Sequence, residues 1–105
     1  MKTHDYTWKI GPQLWSNRTL QTNKPVTENA VIVDLYDGHR YVVQAIYPAK
    51  PTDRAYSSLP GTVVQTWPAG SLPEDELGKL REKAEYNPDQ FCGPLDDVVF
   101  FPAAV

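Results

Sequence analysis

The residues of this chain that could carry chemistry are one cysteine, two histidines, thirteen carboxylates and a rich set of aromatic rings. The cysteine, Cys92, lies in Asp89-Gln90-Phe91-Cys92-Gly93-Pro94. A nucleophilic cysteine needs a nearby histidine or a helix N-terminus to hold it as thiolate. The sequence places neither His4 nor His39 beside it. A lone cysteine otherwise behaves as a small buried apolar residue, and Cys92 reads that way. His39 follows a turn signal, where a histidine could act as a base or a pH-sensitive contact. Its plainer reading is a solvent-facing turn residue. If the protein is an enzyme, His39 and Cys92 are the side chains to suspect; otherwise the expectation is no catalytic residue.

The carboxylates group as Glu74-Asp75-Glu76 and Asp96-Asp97. Neighbours on a strand point to opposite faces, so Asp96 and Asp97 would not line one site. The first group suits the positive end of a helix dipole. No zinc-ligand spacing, Gly-rich phosphate loop or GxSxG elbow is present. No metal and no cofactor are therefore expected.

The aromatic rings are the most suggestive feature. Trp8, Trp15, Tyr36, Tyr41, Tyr47, Tyr56 and Trp67 are many amphipathic rings for 105 residues, with Lys9, Arg40 and Arg54 nearby. Tyr, Trp and Arg concentrate at protein interfaces and their hot spots. Sheet domains also bury rings as core, so part of the set is expected inside.

Elements must position these residues. Tyr6, Trp8 and Ile10 alternate with Asp5, Thr7 and Lys9, a half-buried strand stopped by Gly11-Pro12. Residues 11–28 show no period and read as irregular. Residues 30–36 and 39–47 flank Asp37-Gly38 as a hairpin. A three-residue loop there would set Asp34 opposite Arg40. It would put Val31, Val33, Leu35, Tyr41, Val43 and Ala45 on one face. Ala30, Ile32, Asp34, Arg40, Val42, Gln44 and Ile46 would share the other. Residues 48–60 read as a loop, and 62–67 as a strand bounded by Gly61 and Pro68. Ser71-Leu72-Pro73-Glu74 resembles a capping box opening a helix with Leu77, Leu80 and Ala84 on its apolar stripe. Asn87-Pro88 closes it. Val98-Val99-Phe100-Phe101, lacking alternation, predicts a strand buried on both faces and central in the sheet.

The fold class expected is α+β: one domain over 1–105, a mostly antiparallel four- to five-stranded twisted sheet, and one helix on one face. A single cysteine and an N-terminus with no apolar run behind its charge predict a cytoplasmic protein without a disulfide. No apolar run is long enough to span a membrane. Net charge is −3, and residues 55–105 hold three Lys/Arg against eight Asp/Glu, so a nucleic-acid partner is not expected.

One helix can cover one face of a sheet, yet the hairpin is apolar on both. Its second face needs a cover, from segment 11–28, a second copy of the chain or another protein. The leading expectation is a small non-catalytic protein-binding module, an inhibitor, adaptor or regulator. It would act through an aromatic and apolar sheet surface comprising Tyr36, Arg40, Tyr41, Ile46, Trp8 and Tyr56. The alternative is a small-ligand binder or cofactor-independent enzyme, with a pocket between sheet and helix lined by Trp8, Trp67 and Tyr41.

Overall fold

Alternation in the first strand, β1 (His4–Ile10), translates directly into burial: Tyr6 and Trp8 are inside and Ile10 packs partly against them. The computed structural model of the chain describes residues 4–12, 18–22, 24–50, 60–86 and 98–101, with 84–86 and 98–101 described by backbone alone. After β1 come β2 (Arg18–Thr22), β3 (Val31–Asp34), β4 (His39–Pro48) and β5 (Thr62–Ser71). The helix α1 (Glu74–Tyr86) and β6 (Val98–Phe101) follow. The strands form one sheet in the order β2-β1-β5-β4-β3-β6. Among the described strands only the β1–β5 pairing is parallel, so the sheet is mostly antiparallel and the class is α+β.

The sheet is curled. Two register shifts between β4 and β5, near Arg40 and near Gln44, are β-bulges that raise the local twist. Gly70 sits within the first with φ +87°, a conformation glycine adopts without strain. Curling defines a concave inner face and a convex outer one. The inner face holds the main core: Tyr6, Trp8, Leu20, Val26, Ala30, Ile32, Tyr41, Val43 and Val64.

Several expectations change. Segment 11–28 is not wholly irregular, because β2 pairs with β1 and contributes Leu20 to the core. The hairpin register is Ile32 opposite Tyr41 and Val33 opposite Arg40, one residue from the predicted pairing. A four-residue turn, Leu35 to Gly38, causes the slip, and it exchanges the faces of β4 relative to β3. Ile32 therefore shares the inner face with Tyr41 and Val43, while Val31, Val33, Arg40 and Val42 face outward. The bulge at Gln44 reverses the phase again, so Ile46 pairs with Val64 and packs on the core. The strand Val98–Phe101 lies at the end of the strand order, beside β3, and is not central. β5 runs past Pro68, which stands opposite Tyr41, to Ser71. Ser71 pairs with His39, and the first helical hydrogen bond runs from Leu77 N–H to the Pro73 carbonyl. The helix thus begins two residues later than the capping box implies.

Helix α1 docks on the outer face at one end. Leu80 and Leu72 pack with Val31, Val33 and Leu35, and Leu77 is buried beside Gly38. Gly38 has φ +80°, and a Cβ there would lie 3.0 Å from a Leu77 methyl and 3.5 Å from the Leu72 carbonyl oxygen. The left-handed backbone alone penalises an L-residue by about 1–2 kcal/mol. Gly38→Ala should lower unfolding stability by at least that much, read as a shifted urea midpoint with unchanged slope. An unshifted midpoint would show that the turn is not held as described.

Candidate functional site

Trp8 is fully buried, and every side of it is engaged. Its indole N–H donates to Thr66 Oγ1 at 2.8 Å, and that hydroxyl donates to the Lys9 carbonyl at 3.1 Å. Tyr41 packs against it in a perpendicular pair with centroids 5.2 Å apart. The Arg18 guanidinium lies over its ring at 4.2 Å. Arg18 is cross-strand from Trp8 on β2, at one edge of the sheet, yet its Nη2 donates to Asp34 Oδ2 at 3.0 Å. Asp34 belongs to β3, four places along the strand order, so this ion pair spans the concave face. The other Asp34 oxygen accepts from the Tyr36 N–H at 2.9 Å.

Burial pushes the Tyr41 phenol above its ordinary value of 10.0; Asp37 and then Asp34 add to the rise, and Arg18 opposes it. A phenol that stays protonated in the fold while the unfolded chain ionises withdraws stability as pH climbs. Below pH 10 the contribution is intact, and above it stability falls. Absorbance titration near 295 nm should find a tyrosine step above pH 10, and Tyr41→Phe should abolish that step.

These positions assign the predicted binding residues to two groups. Trp8 and Tyr41 are core, not surface, because the inner face closes over them. Ile46 joins them through the bulge. The predicted pocket of Trp8, Trp67 and Tyr41 is not assembled, since Trp67 points to the outer face opposite Val42. Arg40 is half-buried on that outer face, and its Nε has no hydrogen-bond partner among the described residues. Tyr36 is 83% exposed in the β3–β4 turn. Exposed His39 stands 3.3 Å through Nδ1 from Asp37 Oδ2. Tyr56 and Cys92 lie outside the described residues.

The outer face carries what the sequence reading passed over. Val31, Val42 and Trp67 are successive register partners across β3, β4 and β5, forming one apolar row. Val31 and Val42 are half-buried and Trp67 is 38% exposed, its indole N–H donating to Gln44 Oε1. On one side, Val33 lies under the leucines of α1 and Val31 packs at the margin of that cluster, so the open part of the row is Val42 and Trp67. On the other, Thr7 and Val63 are fully buried, with the Thr7 hydroxyl donating to the Pro60 carbonyl at 2.5 Å. The row is therefore an opening between two covered ends. Period two along β5 puts Trp67 opposite in sense to Val64 and Thr66, a signal for its outward placement. The row itself needed the hairpin register.

Among the described residues, no three His, Cys, Asp or Glu side chains gather as a metal site, and no helix is long and apolar enough to cross a membrane. Comparison of the chain with protein-family models, with curated proteins and with solved structures returns no match.

Asp34 is the polar hinge of this region, with 10% of its side chain exposed and both oxygens engaged. Asp34→Asn keeps its size but removes the charge facing Arg18. The Asp34 side chain is nearly buried but that of Arg18 is 42% exposed, so water screens the pair and its loss amounts to about 0.5–2 kcal/mol. Denaturant unfolding should report a loss in that range; no loss would mean the pair does not close the sheet.

Proposed function

We propose that this protein is a small non-catalytic module that binds another protein on the outer face of its sheet. The observation that carries this reading is the half-open row Val31–Val42–Trp67 between two buried flanks. A single exposed ring on a soluble protein is ordinary. A row in register across three strands is different, because its members desolvate together under one partner. Trp is the residue most often found at the energetic centre of such contacts, and Arg40 on the same face adds a second favoured type.

The fate of the other aromatics supports the same reading. Trp8, Tyr6 and Tyr41 are spent on the inner core, where the Trp8 indole N–H and the Tyr6 hydroxyl are hydrogen-bonded. Trp8 and Tyr41 pack edge to face, so both rings are used within the core. The outer sheet face then offers the apolar area that supports this reading.

Trp67→Arg combined with Val42→Lys places two charges on the row at positions at least partly open to water. The fold should survive, with a loss of about 1 kcal/mol. Native mass spectrometry of the gently purified wild type should show a bound protein, with the double variant running as free chain at the same concentration. A wild type that is alone, or a complex that survives the substitutions, contradicts the proposal. A complex of two identical chains would make the partner a second copy.

A further inference from the structure

Polar groups shielded from water are nearly always hydrogen-bonded, and charged ones are paired. Arg40 departs from that rule. It stands two positions before Val42 on β4, opposite Val33 as Val42 is opposite Val31, so both side chains leave the outer face. Its guanidinium lies along the β5 bulge, where a Cβ on Gly70 would be 3.4 Å from Arg40 Nη2. The cation is thereby set beside the strand that carries Trp67. Its Nε is closed off from water, yet finds no acceptor among the described residues.

The acids of the neighbouring elements are used elsewhere. Asp34 holds Arg18 and the Tyr36 N–H, and Asp37 holds His39. β5 carries no charged residue. On β1, Asp5 accepts from Gln21, while Lys9, in register with Gln65, adds a second cation with a bond of its own. α1 exposes Glu74, Asp75, Glu76 and Glu82 against Lys79, Arg81 and Lys83, so its charge is nearly balanced. Among the described residues no carboxylate forms an ion pair with Arg40.

We infer that Arg40 receives a carboxylate from the protein docked on Val42 and Trp67. The inference rests on the protein-binding reading above and supplies the partner's chemistry, an Asp or Glu side chain beside an apolar one. An apolar group seated on Trp67 and Val42 excludes water from the adjoining guanidinium. An unpaired charge there becomes costly, and a paired one gains. The planar fork can give a carboxylate two parallel N–H donors, which fixes the partner's orientation as well as its charge. A partner with a cation, or with apolar groups alone, at this point would bury Arg40 unpaired and be rejected. Arg40 selects, while Trp67 and Val42 hold.

The probe is a phage-displayed library of random cyclic peptides selected on the wild-type protein. Counter-selection on the uncharged Val42→Thr/Trp67→Ala variant leaves only peptides that use the outer face. These should carry Asp or Glu next to an aromatic or aliphatic residue. Arg40→Gln should weaken them about 30-fold, as for the loss of one partner from a desolvated charge pair. Changing the peptide's acid to its amide should cost as much on the wild type and nothing on Arg40→Gln. Arg40→Lys should recover only part of the affinity, because an ammonium lacks the fork. Arg40→Gln should also leave the urea midpoint unchanged, since no internal partner is lost. Outer-face peptides without an acid, or indifferent to Arg40→Gln, overturn the inference and leave the outer-face reading standing. A library that yields no peptide dependent on Val42 and Trp67 overturns both. A lowered midpoint in Arg40→Gln would show the arginine paired within its own chain, which overturns the inference as well.

Discussion

The structure depends on the cation held between a buried indole and a buried carboxylate. Arg18 lies on Trp8 and reaches Asp34, so one side chain links the β2 edge of the sheet to β3 across the concave face. Asp34, with 10% of its side chain exposed, needs a paired cation, and Arg18 meets it while keeping 42% of its own side chain in water and resting on the indole face. Each partner depends on the other two. Trp8 fixes the height of Arg18, Asp34 fixes its direction, and the closed sheet keeps both partners dry. The same carboxylate then orients the Tyr36 turn, which is why the closure of the sheet and the shape of its exposed loop are one arrangement.

Two bulges decide which aromatics the protein keeps and which it displays. Without the shift at Gln44, strict alternation from Val42 would carry Ile46 to the outer face and leave a hole opposite Val64. With it, Val43 and Ile46 both face the core although they stand three positions apart, and Val42 is left outside beside Trp67. The bulge near Arg40 with Gly70 lets β5 continue past Pro68 and deliver the chain to α1 next to the β3–β4 turn. Twist added at these points wraps the sheet around Trp8 and brings the helix against Gly38.

Parts of this were legible in the residues and parts were not. The alternation of Tyr6, Trp8 and Ile10, the Asp37-Gly38 turn, the β-run after Gly61 and the leucines of α1 each carry a local signal that the fold obeys. The hairpin register hinged on one residue of turn length, and the sequence Leu35-Tyr36-Asp37-Gly38 is compatible with either choice. What tips it is tertiary: Arg81, forty-five positions away from Tyr36, holds the turn carbonyls, and Leu77 fills the space beside Gly38. β2 was hidden because Arg18-Thr19-Leu20-Gln21-Thr22 buries one large apolar side chain and pairs by its backbone with a strand already formed. Among candidate site residues, Tyr36 and Arg40 were placed outside by sequence and lie there at least in part. Trp8, Tyr41 and Ile46 could not be separated from them, since a tryptophan suits a core and an interface equally. Bulges leave no local signature strong enough to sort them.

The central claim is therefore a division of labour between two tryptophans, Trp8 closing the inner core and Trp67 opening onto the outer face. Hydrogen exchange of the assigned indole N–H groups by NMR tests it directly. The Trp8 indole, buried and bonded to Thr66, should exchange only on the timescale of global unfolding, and the Trp67 indole should exchange many times faster. Equal rates, or a protected Trp67 beside a labile Trp8, would contradict the account and place the interaction surface elsewhere.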